Sequence, residues 1–219
     1  MADVYTQYPT TLDFVHLNKP DSHGKYSVTL LLDPKTPDGQ ANIKIISEAV
    51  EQGIAEGIAK QMVGFAGRKP SDKDYAQFVS MHNPLKNADM DRFTKGKNMG
   101  KTRSEVYPEM AGKYVLTAST KRDLRGERCV IDVNTREVPQ SNQLYSGMLG
   151  LVSLWVAPYS NKDGLGLSVL LNSVVRTGDG ERLGGTPDPF AGFNLPPLPA
   201  QTPAPAVPNA FDAMGVPTV

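Results

Sequence analysis

The segment KYSVTLLLD, residues 25–33, places Tyr26, Val28, Leu30 and Leu32 on one face and Lys25, Ser27, Thr29 and Leu31 on the other. That alternation predicts a strand with one core side. Before it, TLDFVHL (11–17) alternates around Leu12, Phe14 and His16 and predicts a first strand, joined by the turn NKPDSHG. From about Asp38 the period lengthens. Ile43, Ile46, Val50, Ile54, Ile58 and Met62 recur at three or four residues, which predicts a helix of five or six turns. Gly53 and Gly57 either weaken that helix or permit a close approach to the sheet. GFAGRKPSD ends it, and a short helix is expected around residues 72–78. Strands return in KYVLTAST (113–120), RCVIDV (128–133), SGMLGLVSLWVAPY (146–159) and GLGLSVLLNSVV (164–175). SNKD before Gly164 is a hairpin signal between the last two.

Residues 83–112 show neither period, and an excursion of that length inside a compact domain tends to be functional or disordered. From Thr186 onward nine of 34 residues are Pro, two are acidic and none is Lys or Arg, so this segment reads as a flexible tail. The expected organisation is therefore a domain over residues 1–185 and a Pro-rich tail over 186–219. Five or six strands, one long helix and long loops make the chain mainly β. The outline fits a five-stranded, partly open barrel like the oligonucleotide/oligosaccharide-binding (OB) fold, followed by a disordered C-terminal tail.

Charge changes this picture in one region. The net charge is zero, yet residues 92–128 hold ten Lys/Arg against four acids. Such segregation favours a polyanionic partner on one face; a solvated basic loop accounts for it equally. Within the segment, TKGKNMGKTR (94–103) imitates the phosphate loop of a nucleotide hydrolase. That loop needs four residues between its first Gly and the Gly-Lys-Thr, and Gly96 and Gly100 enclose only three. Neither a buried strand before it nor a long helix after it is expected, so the near-motif is a decoy.

Other chemistry is sparse. The single cysteine, Cys129, cannot form an internal disulfide and is expected as a small buried side chain in a strand. His16, His23 and His82 lack metal-ligand spacing, and Asp89-x-Asp91 reads as a loop or helix-capping pair rather than a metal site. No cofactor is expected. No apolar run reaches the roughly 20 residues of a membrane span, and MADVYTQYPT lacks the basic and apolar regions of a signal peptide. A cytoplasmic location is the expectation.

Binding a single strand without reading its sequence requires cations along a groove and aromatic faces on which bases stack. Lys95, Lys97, Lys101 and Arg103 in the long loop supply one cationic cluster, and Lys121, Arg122, Arg125 and Arg128 in TKRDLRGER supply another. In residues 149–159 the even positions Val152, Leu154 and Val156 are aliphatic and should face the core. Trp155 and Tyr159 then share the opposite, less buried face. They either stack bases or pad a second small core or a subunit interface. Phe93 and Tyr107 lie inside the basic loop and are the next aromatic candidates. Tyr114 and Tyr26 share faces with aliphatic residues and are expected in the core.

GKYSVTLLLD, PLK at 84–86, KYVLTAST, VID at 130–132, YSG at 145–147 and NSVVRTGDGERLGG (172–185) together resemble a family of tailed-phage single-stranded DNA-binding proteins. The matches run in order over roughly residues 24–190, with YSG and DGERLGG the most specific. The resemblance implies an OB barrel, sequence-independent binding of single-stranded DNA, a role in phage replication and recombination, and no enzymatic activity. It also implies recruitment of phage or host replication proteins through the tail. Two departures stand out: NADMD replaces an acidic, glycine-containing turn after PLK, and the terminus FDAMGVPTV lacks a strongly acidic end. The candidate DNA-binding set is Lys86, Arg92, Phe93, Lys95, Lys97, Lys101, Arg103, Tyr107, Lys113, Lys121, Arg122, Arg125, Arg128, Trp155 and Tyr159. The rival reading is a phage structural or assembly protein whose basic loop meets an acidic subunit. A nucleotide-dependent enzyme is a third. Homo-oligomerisation stays open.

Overall fold

In the computed structural model, residues 2–162 and 164–184 are described. The predicted tail from Thr186 lies outside them. Strands β1 (Ala2–Tyr5), β2 (Thr10–His16) and β3 (Tyr26–Leu32) precede helices α1 (Pro37–Ala59) and α2 (Tyr75–His82). The two-residue strand β4 (Lys86–Asn87) and the single turn α3 (Arg103–Val106) follow. Strands β5 (Tyr114–Thr120), β6 (Val130–Asp132), β7 (Leu149–Asn161) and β8 (Gly164–Gly178) complete the order.

Five of the strands form a ring. β2 pairs β3, β3 pairs β5, β5 meets β8, β8 pairs β7, and β7 returns to β2. The pairings are antiparallel except β5–β8, which is parallel and touches in register only at Ser119↔Leu170. A ring paired so thinly at one seam is a partly open barrel of OB type. β1 extends it beyond β7, β6 beyond β8, and β4 pairs with β5. β1 and β4 are strands beyond the expected ones, and both are too short for a period to register.

The period-two residues fill the interior. Leu12, Val28, Leu30, Leu32, Leu116, Ala118, Val152, Leu154 and Val156 are buried in one cluster, which also takes the inner face of α1. α1 starts where Thr36 Oγ1 accepts from the Gly39 N–H at 3.1 Å, with Pro37 opening the first turn. It buries Ile46, Ala49, Val50 and Ile54 and packs on β7 and β1. Asn42, 1% exposed, holds the β1–β2 link to this helix: its Oδ1 accepts from the Gln7 N–H at 3.0 Å and its Nδ2 donates to the Tyr8 carbonyl at 2.8 Å. Of the two expectations for the helix glycines, close approach to the sheet holds at Gly53, while Gly57 makes room for Phe65 of the turn after the helix. A Cβ on Gly57 would lie 2.7 Å from Phe65 Cδ1, and one on Gly53 would lie 3.1 Å from Leu167 Cδ2.

Several expectations need correction. Met62 lies outside the helix, because the chain turns at Gln61 (φ 51°) and Met62 packs back on the core from the following turn. The short helix runs over Tyr75–His82 rather than 72–78. β3 has two buried sides toward its end. Leu31 joins Ala88, Met110 and Val115 in a second cluster, because the excursion 83–112 folds back over the outer face of β3 and β5. Cys129 is half-buried and precedes β6, with its Sγ 3.6 Å from Arg122 Nη2. Tyr26 and Tyr114 only partly enter the core. Phe14 and His16 are exposed, for a reason given below.

Candidate nucleic-acid interface

Cross-strand register defines the outer surface of the barrel, because directly opposed residues point to the same side. One row runs Asp3, Trp155, Leu170, Ser119, Ser27, His16 across β1, β7, β8, β5, β3 and β2. The next runs Thr117, Thr29, Asp13 across β5, β3 and β2, with Thr29 and Thr117 joined through their hydroxyls at 2.9 Å. Ser27, Ser119 and Thr117 thus form a strip of small hydroxyl residues on the barrel, with Thr29 and Asp13 buried beside them. Trp155 and the end of β7 flank it on one side, and the excursion flanks it on the other.

At the β5–β8 seam this strip opens into a cleft of about 530 Å³ lined by Lys25, Ser119, Thr120, Lys121, Arg122, Ser168 and Leu170. Three cations and no acid line it. Lys25 and Lys121 are exposed. Arg122 is positioned by its own neighbours: Nη1 donates to Asn172 Oδ1 at 3.0 Å and Nε donates to Glu127 Oε2 at 2.9 Å. Trp155, half-buried, stands one strand beyond the cleft, opposite Leu170 in register and with Asp3 on its far side. Tyr159, 40% exposed, lies farther along the same face. Its ring lies over Gly166, where a Cβ would come within 3.1 Å of the hydroxyl. Trp155 and Tyr159 do share one face, away from Val152, Leu154 and Val156.

The excursion carries the other cationic cluster. Arg92 and Thr102 form an isolated antiparallel bridge, and between them Gly96 (φ 79°) and Gly100 (φ 84°) turn the chain. Lys95, Lys97 and Lys101 are exposed and have no ion pair among the described residues. Thr102 caps α3 reciprocally with Glu105, and the Thr102 N–H holds the Glu105 carboxyl below its ordinary range. Arg103 pairs with Asp91 at 2.5 Å and sits 5.5 Å from the Phe93 ring. Phe93 in turn lies 6.3 Å from Tyr107, and Phe14 of β2 meets Tyr107 edge-on at 5.0 Å.

The remaining candidates serve internal contacts. Lys86 Nζ reaches the last carbonyls of α2, Ser80 and Met81, at 3.4 Å. Arg92 donates to the Gly100 carbonyl at 2.6 Å and Lys113 to the Glu109 carbonyl at 2.7 Å. Arg125 reaches Asn18, Ser141 and the Pro139 carbonyl, and Arg128 pairs with Glu137 at 3.0 Å. Asp89 accepts from the Gly112 N–H at 3.0 Å, which closes the excursion. The structure therefore brings Lys121 and Arg122 to one cleft, places Trp155 across from Leu170 of its lining, and brings Phe93, Arg103 and Tyr107 to one cluster. It draws Arg125 and Arg128 toward the 137–141 segment. Lys25 and Phe14 escaped the sequence reading. A lone Lys at a strand end carries no pattern, and Phe14 reads as core until its backbone is seen.

The two most specific sequence pieces meet each other rather than the cleft. Tyr145 donates to Asp179 Oδ1 at 2.8 Å and accepts from the Gly180 N–H at 3.1 Å, while Arg182 stacks over its ring at 4.1 Å. Gly147 sits at φ 107°, and a Cβ there would lie 1.8 Å from the Glu181 carbonyl oxygen, so only glycine fits. Arg176, 6% exposed, pairs with buried Asp132 at 2.7 Å and with Asp179 at 2.6 Å. Desolvation opposes the Arg176 charge, yet both carboxylates hold its pKa above the ordinary value.

Among curated proteins none matches the sequence. Among solved structures, the single-stranded DNA-binding protein from bacteriophage Enc34 superposes with a TM-score of 0.57 at 22% identity, covering 84% of this chain and 86% of that one. The same phage protein in complex with ssDNA gives a TM-score of 0.57 at 23% identity, covering 80% and 86%. These likenesses concern the fold. The sequence itself matches the family described as Enterobacter phage Enc34, ssDNA-binding protein, over residues 2–202. With that match spanning nearly the whole chain, the protein belongs to the Enc34 single-stranded DNA-binding protein family.

Proposed function

We propose that the protein binds single-stranded DNA without sequence preference and protects and organises it during phage DNA replication and recombination. The observation that carries this reading is the cleft at the barrel seam, where Lys25, Lys121 and Arg122 converge beside Leu170 and Trp155. Cations and an aromatic face are the two elements a single strand requires. The groove offers hydroxyls and cations, groups suited to phosphates and indifferent to base identity. In this reading Lys25, Lys121 and Arg122 hold phosphates in the cleft, and Lys95, Lys97 and Lys101 hold them along the excursion. Trp155 and Tyr159 stack bases.

The protein acts by occupying the strand and turns over no substrate. It works in the host cytoplasm; among the described residues no helix is long and apolar enough to cross a membrane. Binding is carried within residues 1–185, and the segment after Thr186 serves contacts with replication proteins. Removal of residues 191–219 then leaves DNA affinity intact. One titration tests the reading: purified protein against single- and double-stranded DNA and RNA at several salt concentrations. Tight, salt-sensitive binding to an unstructured oligonucleotide supports it. Equal affinity for duplex, or binding only to an acidic protein of equal charge, would overturn it.

A further inference from the structure

We propose that Phe14 is a base-stacking residue, and that with Tyr107 and Phe93 it forms a second aromatic platform on the path of the strand, apart from Trp155. This inference rests on the single-strand-binding reading above.

The backbone carries the first argument. Leu12 points into the core and Asp13 stands on the outer face opposite Thr29. Simple alternation would therefore return Phe14 to the interior. Instead the β2–β3 register slips between Asp13 and His16, and Phe14 takes φ 46°, a left-handed conformation that bulky side chains rarely adopt. A bulge of this kind re-aims a side chain. Here it turns a ring that would fill the core outward, leaving it 36% exposed. The surroundings hold it there. Asp13, 2% exposed, accepts the Phe14 N–H on Oδ1 at 2.7 Å, and Ser146 Oγ accepts the Val15 N–H at 3.2 Å. Asp13 Oδ2 stays buried without a hydrogen-bond partner. A costly backbone and an unsatisfied carboxylate oxygen serve one visible end, the outward aim of one ring.

What that ring meets carries the second argument. Tyr107 receives it edge-on at 5.0 Å and an 80° interplanar angle, and Phe93 follows 6.3 Å beyond. Tyr107 packs on the Leu31, Ala88, Met110 and Val115 cluster, so the platform is anchored to the barrel wall. The excursion that supplies Phe93 and Tyr107 also supplies the exposed cations Lys95, Lys97 and Lys101. Aromatic faces and exposed cations thus occur together a second time. The position is suitable as well. Asp13, Thr29 and Thr117 form the row next to Ser27, Ser119, Leu170 and Trp155, displaced by one pleat repeat of about 7 Å. From β2 by way of β3, β5 and β8 to Trp155 on β7 there are four strand spacings, about 19 Å in all. One bound strand can therefore engage both platforms.

The test uses the full chain and an oligothymidylate. Glycine is at ease at this φ, and that relief opposes the lost ring contact with Tyr107 and the added freedom of the unfolded chain, so Phe14→Gly should fold with a melting temperature close to the parent's. Affinity should fall about five- to hundredfold, the loss typical of a truncated stacking aromatic. The salt dependence should stay as in the parent, because no cation is removed. A Phe14→Gly protein that melts as the parent does and binds equally well would overturn the proposal. If that variant proves unstable, photocrosslinking of a 5-iodouracil oligonucleotide to the parent decides the matter. An adduct at Phe14 or Tyr107 supports the platform, and adducts confined to Trp155 and Tyr159 refute it. Failure of the parent to bind any single strand would instead sink the binding reading, and this platform with it.

Discussion

The hydroxyl of Tyr145 donates to Asp179 Oδ1 at 2.8 Å, joining YSG at 145–147 to the DGERLGG segment 34 residues later in the chain. Two of the pieces that carry the resemblance are thus a clamp that holds the chain after β8 against the approach to β7. Their role is architectural. Tyr145→Phe removes the bond to Asp179 and the acceptor of the Gly180 N–H, and should cost about 1–2 kcal/mol of stability. Denaturant unfolding measures that loss, and single-strand affinity should be unaffected.

The same clamp gives an acid dependence. Asp132 is held below the ordinary carboxylate range, first by the Asn134 N–H and then by Arg176; Asp179 is held low first by Tyr145 and then by Arg176. Carboxylates depressed in the folded state stabilise it fully above their unfolded value, about 3.9, and lose that contribution as pH falls through the lower folded values. The part of the melting temperature that these two carboxylates supply should therefore be level from pH 7 to about 5 and fall below about 4. Asp132→Asn should be less stable at neutral pH and show a shallower acid slope. An unchanged acid profile in that variant would remove Asp132 from the account.

Affinity should weaken with salt. Each phosphate neutralised on a single strand contributes about −0.7 to the log–log slope, so four to six contacts give roughly −3 to −4. Replacing Lys95, Lys97 and Lys101 together by Ala should flatten the slope by about 2. A slope equal to the parent's would take the excursion off the DNA path.

Trp155 is the sole tryptophan and stands opposite Leu170 of the cleft, so its emission reports that side of the barrel. DNA should quench it. Trp155→Ala should lose about 1–3 kcal/mol of binding and far less stability than the about 3–5 kcal/mol of a core tryptophan. A large drop in melting temperature without quenching in the parent would make Trp155 a packing residue.

The two helix glycines should separate in their response to alanine. Gly57→Ala gains about 1 kcal/mol of helix propensity but forces a Cβ to 2.7 Å from the Phe65 ring, an overpacking cost of about 1–3 kcal/mol. Gly53→Ala places its Cβ 3.1 Å from Leu167 Cδ2 and 3.3 Å from Val156 Cγ1, contacts that a shift of a few tenths of an ångström relieves, so it should be better tolerated than Gly57→Ala. Thermal melts of the two variants compare them directly.

What was legible in the sequence was what repeats. Val152, Leu154 and Val156 announce an inner face by strict alternation, and Ile46, Val50 and Ile54 announce a helix by spacing. What stayed illegible depends on single residues. One inserted bulge reverses the side that Phe14 faces, and no composition signal marks it. The excursion 83–112 packs through isolated anchors, Ala88 and Met110, rather than a periodic face. The cations of residues 92–128 were countable, but only the folded chain shows that Arg125 answers Asn18 and Ser141 while Lys121 opens on the cleft.

Closure of the ring by β2 also bears on how the chain folds. β7 and β8 turn back on each other through a short hairpin and pair over thirteen positions, a ribbon that forms on the microsecond scale. The bond from the Gly147 N–H to the Leu12 carbonyl, by contrast, joins segments more than a hundred residues apart, and its loop-closure entropy must be met before it contributes. Substitutions at Leu12 should therefore speed unfolding with little effect on the folding rate, while those in the ribbon should slow folding, a contrast that chevron kinetics resolve. The barrel is zipped from its longest ribbon and latched at β2.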